Sequence, residues 1–111
     1  MSTLPAKFFP SGQKIFGEGE PGDRMYVVRE GVVELSVQGK LVARVEKGGI
    51  LGEMALIDKK PRSASAKAKT DCELVPVDGK QFLSLVQQRP SFAIEVMKVL
   101  ADRLRKMDER V

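Results

Sequence analysis

Two charged residues in a stretch rich in glycine and alanine, Glu53 and Arg62, are the ones best placed to do chemistry. The stretch runs Gly48-Gly49-Ile50-Leu51-Gly52-Glu53-Met54-Ala55-Leu56-Ile57, continues through Asp58-Lys59-Lys60-Pro61-Arg62, and closes on Ser63-Ala64-Ser65-Ala66-Lys67-Ala68-Lys69-Thr70. Gly52 permits a tight turn, and Glu53 to Ile57 suffices for about one helical turn. A helix start leaves N–H groups pointing outward, and these bind anions. A carboxylate at that start is also favoured by the helix dipole. After Pro61 the pattern alternates: Arg62, Ala64, Ala66 and Ala68 share one face, and Ser63, Ser65, Lys67 and Lys69 share the other. The lysine face belongs to solvent, so Arg62 points inward beside three small side chains that leave space. A buried guanidinium without a partner is costly, and a phosphate fits its fork.

Periodicity alone leaves two readings of Arg62 open. One is a cation facing a cavity filled by an anion; the other is a strand-end arginine that reaches water. Glu53 is likewise either a ligand-binding carboxylate or a helix-start carboxylate with a structural role. The glycines by themselves fit an ordinary hairpin.

The rest of the composition narrows the classes. The 111 residues suggest one domain, 1–111. There is no histidine, which removes serine–histidine and cysteine–histidine catalysis and histidine-based metal sites. No enzyme activity, metal or cofactor is expected. Cys72 is the single cysteine, so no intrachain disulfide forms, and its apolar surroundings suggest a buried, inert thiol. No apolar run approaches the roughly 20 residues of a membrane span, and Met1 to Ala6 lacks a signal-peptide core. A cytoplasmic protein without a membrane contact is the simplest expectation. The net charge of +4 favours anionic partners without naming one.

The elements that must hold these residues are mostly short strands. Residues 1–6 read as a loose arm. Lys14-Ile15-Phe16 and Met25-Tyr26-Val27-Val28 are β-prone. Val33, Leu35 and Val37 alternate with Glu34 and Ser36, the period of a half-buried strand. Gln38-Gly39-Lys40 turns the chain into Leu41–Val45, and Gly48-Gly49 breaks it again. Frequent turns between short strands suggest an all-β roll or sandwich. Two helices close the chain. Asp78 is placed to cap the first, over Lys80 to Gln88 with Phe82, Leu83, Leu85 and Val86 inside. Arg89-Pro90 ends it, and Ser91 is placed to cap the second, over 91–110.

The run Gly52-Glu53-Met54-Ala55-Leu56 followed by Pro61-Arg62-Ser63-Ala64-Ser65 resembles the phosphate-binding cassette of the cyclic-nucleotide-binding domain family. This is the family of the catabolite activator and of the cAMP-dependent kinase regulatory subunits. Gly19-Glu20-Pro21-Gly22-Asp23-Arg24-Met25-Tyr26-Val27-Val28 and Glu30-Gly31-Val32-Val33-Glu34-Leu35 resemble its early turns and strands. The resemblance covers about residues 12–105. It implies a mainly β fold, a double-stranded, jelly-roll-like β-roll with a short cassette helix and two C-terminal helices. It also implies a cyclic purine mononucleotide as ligand, cAMP before cGMP, bound as a signal. Arg62 then pairs with the phosphate, which the backbone around Met54, Ala55, Ser63 and Ala64 cradles. Glu53, set by Gly52, accepts from the ribose 2′-hydroxyl. Ser63 departs from the alanine typical of cAMP-selective kinase subunits and matches bacterial cAMP receptors.

Met97, Leu100, Leu104, Met107 and Val111 form one apolar stripe on the last helix. Packing against the domain itself is the simpler reading of its first half. In the family this helix is a lid over the purine, which nominates Met97, Leu100, Ala101 and Leu104 as its cover, with Arg103 or Arg105 stacking on the base. The stripe is too short to claim a coiled coil, so a homodimer or an effector protein on this helix stays open. No helix-turn-helix is visible, so no direct DNA binding is expected. The competing readings are a nucleotide-free relative serving as an interaction module and the sensor fragment of a transcription regulator.

Overall fold

The structure, a computed structural model, describes residues 4–109, with side chains to residue 102. The element order is β1 (Lys7–Phe9), β2 (Lys14–Phe16), β3 (Arg24–Glu30), β4 (Val33–Val37), β5 (Lys40–Val45), β6 (Ile50–Leu51), α1 (Met54–Ile57), β7 (Ser65–Ala68), β8 (Cys72–Asp78), α2 (Gly79–Gln88) and α3 (Pro90–Glu109). Two four-stranded antiparallel sheets result, ordered β1-β8-β3-β6 and β2-β7-β4-β5. The expected mainly β roll with a one-turn helix and two closing helices is therefore the fold found. The chain divides into two compact units, one ending at Gly79 and one beginning at Lys80.

Side-chain alternation builds the core of the first unit. Val33 and Leu35 on β4 meet Phe9, Tyr26, Val28 and Leu74 from the other sheet in one apolar cluster. Tyr26 and Val28 face that cluster, and the alternating residues Met25 and Val27 are buried too. Both faces of β3 are thus covered, which suits its unbroken run of apolar residues. The β4–β5 hairpin turns at Gln38 and Gly39 with φ of 51° and 81°. Two consecutive positive φ values are what a tight two-residue hairpin requires.

In the first unit, three features differ from the pattern-based expectation. The strand after Pro61 starts at Ser65, so Arg62 lies in the loop ahead of it. The inward–outward alternation nevertheless holds: Arg62, Ala66 and Ala68 are buried while Ser63, Lys67 and Lys69 are exposed. Ala66 and Ala68 do not leave space beside Arg62. Both are fully buried within the apolar cluster, because β7 lies between β2 and β4 and its small side chains let the opposite sheet close on it. The two-residue strand β6 escaped the pattern altogether. It pairs Tyr26 with Leu51 and Val27 with Ile50, and so fixes where Gly52 and Glu53 begin.

In the second unit, α2 buries Leu85 and half-buries Phe82 and Val86, but Leu83 is 65% exposed. Leu83 lies on the outer side of the helix, where the apolar stripe is narrower than expected. The last helix starts at Pro90, not after Ser91. Proline suits a first helical turn because its missing N–H would have had no helical partner there. Arg89 is the single non-helical residue between the two helices; its N–H donates to Leu85 O at 2.7 Å and its carbonyl accepts from Phe92 N at 2.8 Å. Phe82 and Phe92 meet at 5.7 Å between ring centroids and tie α2 to α3.

Candidate functional site

Only two charged residues are buried among the described side chains, Glu53 and Arg62, at 0% and 8% exposure. They are the same two that the sequence pattern singles out. Gly52 sits between β6 and α1 with φ of +76°, a conformation that glycine adopts at low cost. The turn it makes delivers Glu53 to the N-cap position, directly before α1. Glu53 has helical dihedrals, and its side chain makes no capping hydrogen bond to the helix.

Arg62 is fixed through its main chain and its side chain together. Its N–H donates to Glu20 O, and its carbonyl accepts from Gly19 N, both at 2.8 Å. The loop between β2 and β3 is thereby clasped to the residue. Within that loop Glu20 accepts from Gly17 N and from Lys14 Nζ, which keeps the loop shaped. The guanidinium donates from Nη1 to Gly52 O at 3.1 Å and from Nη2 to Arg24 O at 2.9 Å. Its Cζ lies 4.1 Å from the centroid of the Phe16 ring. Its Nε is buried and makes no hydrogen bond among the described residues. No ion pair of Arg62 occurs among them either. Burial pushes the guanidinium below its ordinary pKa, against the pull of Tyr26 and Asp23; an arginine this basic stays charged all the same. The arrangement is a cation drawn out of water onto carbonyl dipoles and a ring, with Asp23 and Glu20 acting on it from a distance and no carboxylate in ion-pair contact among the described residues.

These features occur in a chain of known kind. A model of the cyclic nucleotide-binding domain matches residues 6–89, most of the chain. The chain belongs to the cyclic nucleotide-binding domain family. Among relatives of the domain, the CRP-like cAMP-activated global transcriptional regulator of Mycobacterium tuberculosis (strain H37Rv) is 32% identical over 93% of this chain and 48% of its own length. The cGMP-dependent protein kinase egl-4 of Caenorhabditis elegans is 38% identical over 70% of this chain and 10% of its own length. The crystal structure of the Thermus thermophilus catabolite activator protein superposes with a TM-score of 0.86, at 34% identity, over 98% of this chain and 54% of that one. The chain spans about half the length of the bacterial relatives it matches.

The cyclic nucleotide-binding domain brings Gly52 and Arg62 into direct contact and sets Glu53, Met54 and Ala55 immediately after that contact. Met54 is exposed and Ala55 buried. The Ala55 N–H donates to Gly52 O at 3.2 Å, at the long end of the range for such a bond. Ser63 is exposed and Ala64 half-buried, directly after Arg62. On α3, Met97 is 55% exposed, Leu100 half-buried and Ala101 exposed. The side chains of Arg103, Leu104, Arg105 and Met107, and the whole of Val111, lie outside the described residues. No helix among the described residues is long and apolar enough to cross a membrane, and no acidic or cysteine cluster suited to a metal is found among them.

Sequence reasoning found the two charged residues and missed what holds one of them. Phe16, Gly22 and the Arg24 carbonyl all surround the Arg62 guanidinium. Backbone carbonyls carry no signature in a sequence. Phe16 reads as a strand residue, and Gly22 as half of a Pro-Gly turn.

Proposed function

We propose that this domain, taken as one unit over residues 1–111, is a sensor for a cyclic purine mononucleotide, with cAMP preferred to cGMP. The observation that carries the reading is the buried Arg62 guanidinium, donating to Gly52 O and lacking any carboxylate partner among the described residues. In this reading Arg62 pairs with the cyclic phosphate. A guanidinium has five N–H donors, and the two spent on carbonyls leave others for the phosphate. The amides of Met54, Ala55, Ser63 and Ala64 complete the cradle. Glu53 takes the ribose 2′-hydroxyl, with Gly52 setting its position. No bond is made or broken: the domain binds and reports, and it is not an enzyme.

The base is covered by Met97, Leu100, Ala101 and Leu104, with Arg103 stacking on its face. Closure turns about Arg89, the residue between α2 and α3, and α3 passes the signal to a second copy or to an effector protein. The preference for cAMP is supported by similarity to two bacterial relatives, a CRP-like cAMP-activated regulator and a cyclic AMP receptor protein. Similarity to a cGMP-dependent kinase keeps cGMP in the test. The sensor part of a longer regulator is the second reading, favoured by the half-length match to the transcriptional regulator. We place the domain in the cytoplasm and expect no sequence-specific DNA binding from these residues.

Calorimetric titration of the chain with cAMP and with cGMP tests the proposal. The expected result is one site per chain, tighter for cAMP, and no measurable binding by Arg62→Ala. Native protein that gives no binding with either nucleotide overturns it in favour of an interaction module. A specific shift of duplex DNA by this chain would overturn the exclusion of direct DNA reading.

A further inference from the structure

We propose that Phe16 is a positioning residue for the phosphodiester site, holding the Arg62 guanidinium flat on its ring while Gly22 and Gly52 leave the space that the guanidinium fills. The inference rests on Arg62 being the phosphate ligand and adds what makes that arginine competent.

Three elements converge on one guanidinium. Phe16 ends β2, Gly22 lies in the loop before β3, and Gly52 follows β6. The 4.1 Å from Cζ to the ring centroid is too short for an approach in the ring plane, so the guanidinium lies over the face. That face carries the negative end of the ring quadrupole. The ring is itself held: it is 7% exposed and stacks on Tyr26 at 6.2 Å between centroids and 26° between planes. Tyr26 in turn meets Phe9 edge to face at 6.2 Å. A column of three aromatic rings therefore runs from the core to the cation.

The glycines define the rest of the space. A Cβ at Gly22 would stand 2.4 Å from Arg62 Nε and 2.5 Å from Cζ. A Cβ at Gly52 would stand 2.6 Å from Nη1 and 3.4 Å from the Phe16 ring. Only a flat side chain fits among these surfaces, and arginine is the cationic side chain that is flat. The ring supplies what a carboxylate would supply elsewhere, an electron-rich surface that stabilises the desolvated charge. It makes no ion pair with that charge, which Asp23 and Glu20 reach only at longer range, and leaves it open to a phosphate. A carboxylate in the same place would compete with the ligand for the guanidinium.

Gly22 offers a clean probe. It lies outside the positive-φ glycines, so its main chain accommodates alanine, and the added methyl meets the end of a flexible side chain. Gly22→Ala displaces the guanidinium without imposing a positive-φ strain on the main chain. The test combines calorimetry with cAMP and nuclear magnetic resonance of the arginine Nε–Hε groups, the Arg62 signal being assigned by its loss in Arg62→Lys. In the native chain the Arg62 signal is displaced by the ring current of Phe16. Phe16→Leu is expected to abolish that displacement and to weaken cAMP about tenfold, the scale of a desolvated cation–ring contact. Gly22→Ala is expected to move the same signal and to weaken cAMP at least as much. If Phe16→Leu does not fold, Gly22→Ala alone decides. Variants that move the Arg62 signal and bind cAMP like the native chain overturn the proposal. So does a native chain whose Arg62 signal carries no ring-current displacement. A native chain with the displaced signal that binds no cyclic nucleotide refutes the phosphate reading instead, and with it any role for Phe16 in binding.

Discussion

Two arginines of this domain, Arg44 and Arg62, solve the same problem in opposite ways. Arg44 on β5 is half in water and donates from Nε to Glu34 Oε2 at 3.2 Å. The Nε of Arg62 is buried and donates to nothing among the described residues. Arg44 decorates a sheet surface, where an ion pair of this kind contributes little because water already screens both charges. Arg62 has been taken out of water and given two carbonyls and a ring. Such an arrangement is expensive in the absence of a ligand. On the proposed function, that cost is kept because the charge is held ready for the phosphate. The difference lies in what the surroundings leave undone: the surface pair is complete, and the buried cation is not.

The largest effect that sharpens this contrast comes from Arg62 itself. Arg62→Ala should weaken cAMP by roughly 2–5 kcal/mol, the range for truncating one side of a buried charged pair. The readout is thermal: a hundredfold excess over Kd stabilises a binding protein by about 2.7 kcal/mol, a rise of several degrees in midpoint for a domain of this size. The native chain should show that rise and Arg62→Ala should lose it. A variant that keeps the full rise would put Arg62 in the same class as Arg44.

Glu53→Gln comes next. It keeps the shape and one acceptor but removes the charge, so a charge-assisted bond to a hydroxyl becomes a neutral one, at a cost of about 1–2 kcal/mol. The loss should appear with cAMP and be absent when the titrant is the 2′-deoxy analogue. Equal losses with both nucleotides would remove Glu53 from the ribose.

The same contrast explains which parts of the molecule were legible in its sequence. Charged residues at informative positions, Glu53 after Gly52 and Arg62 after Pro61, were visible because their neighbours are small and their parity is clear. The strands with strict alternation, such as β4, were visible for the same reason. What stayed hidden depends on contacts distant in sequence. β6 is two residues long and exists only because β3 lies beside it. Ala66 and Ala68 looked like the edge of a cavity and are instead core, since a small side chain signals either empty space or a close neighbour. Leu83 is apolar and exposed, and no periodicity separates it from Leu85 without knowing the width of the buried stripe. The support of Arg62 by Arg24 and Gly52 runs through carbonyls, which every residue has.

The smallest expected effect lies at the surface pair and has a definite sign in pH. Arg44 holds the Glu34 carboxyl below its ordinary 4.5, chiefly by the hydrogen bond between them; burial opposes this, and Lys69 adds a weaker pull in the same direction. A carboxylate whose folded value is depressed contributes stability that is fully present above its unfolded value and lost as pH falls through the folded one. The urea midpoints of the native chain and Glu34→Gln should therefore differ by a constant, small amount from pH 7 down to about 5, and converge below the folded value. Cyclic nucleotide affinity at neutral pH should be the same in both, because the Glu34 cluster pairs with Arg44 and Lys69 and not with Arg62. A Glu34→Gln variant that weakened cAMP would mean that the sheet surface and the buried cation share one electrostatic network, and the separation drawn between Arg44 and Arg62 would fail.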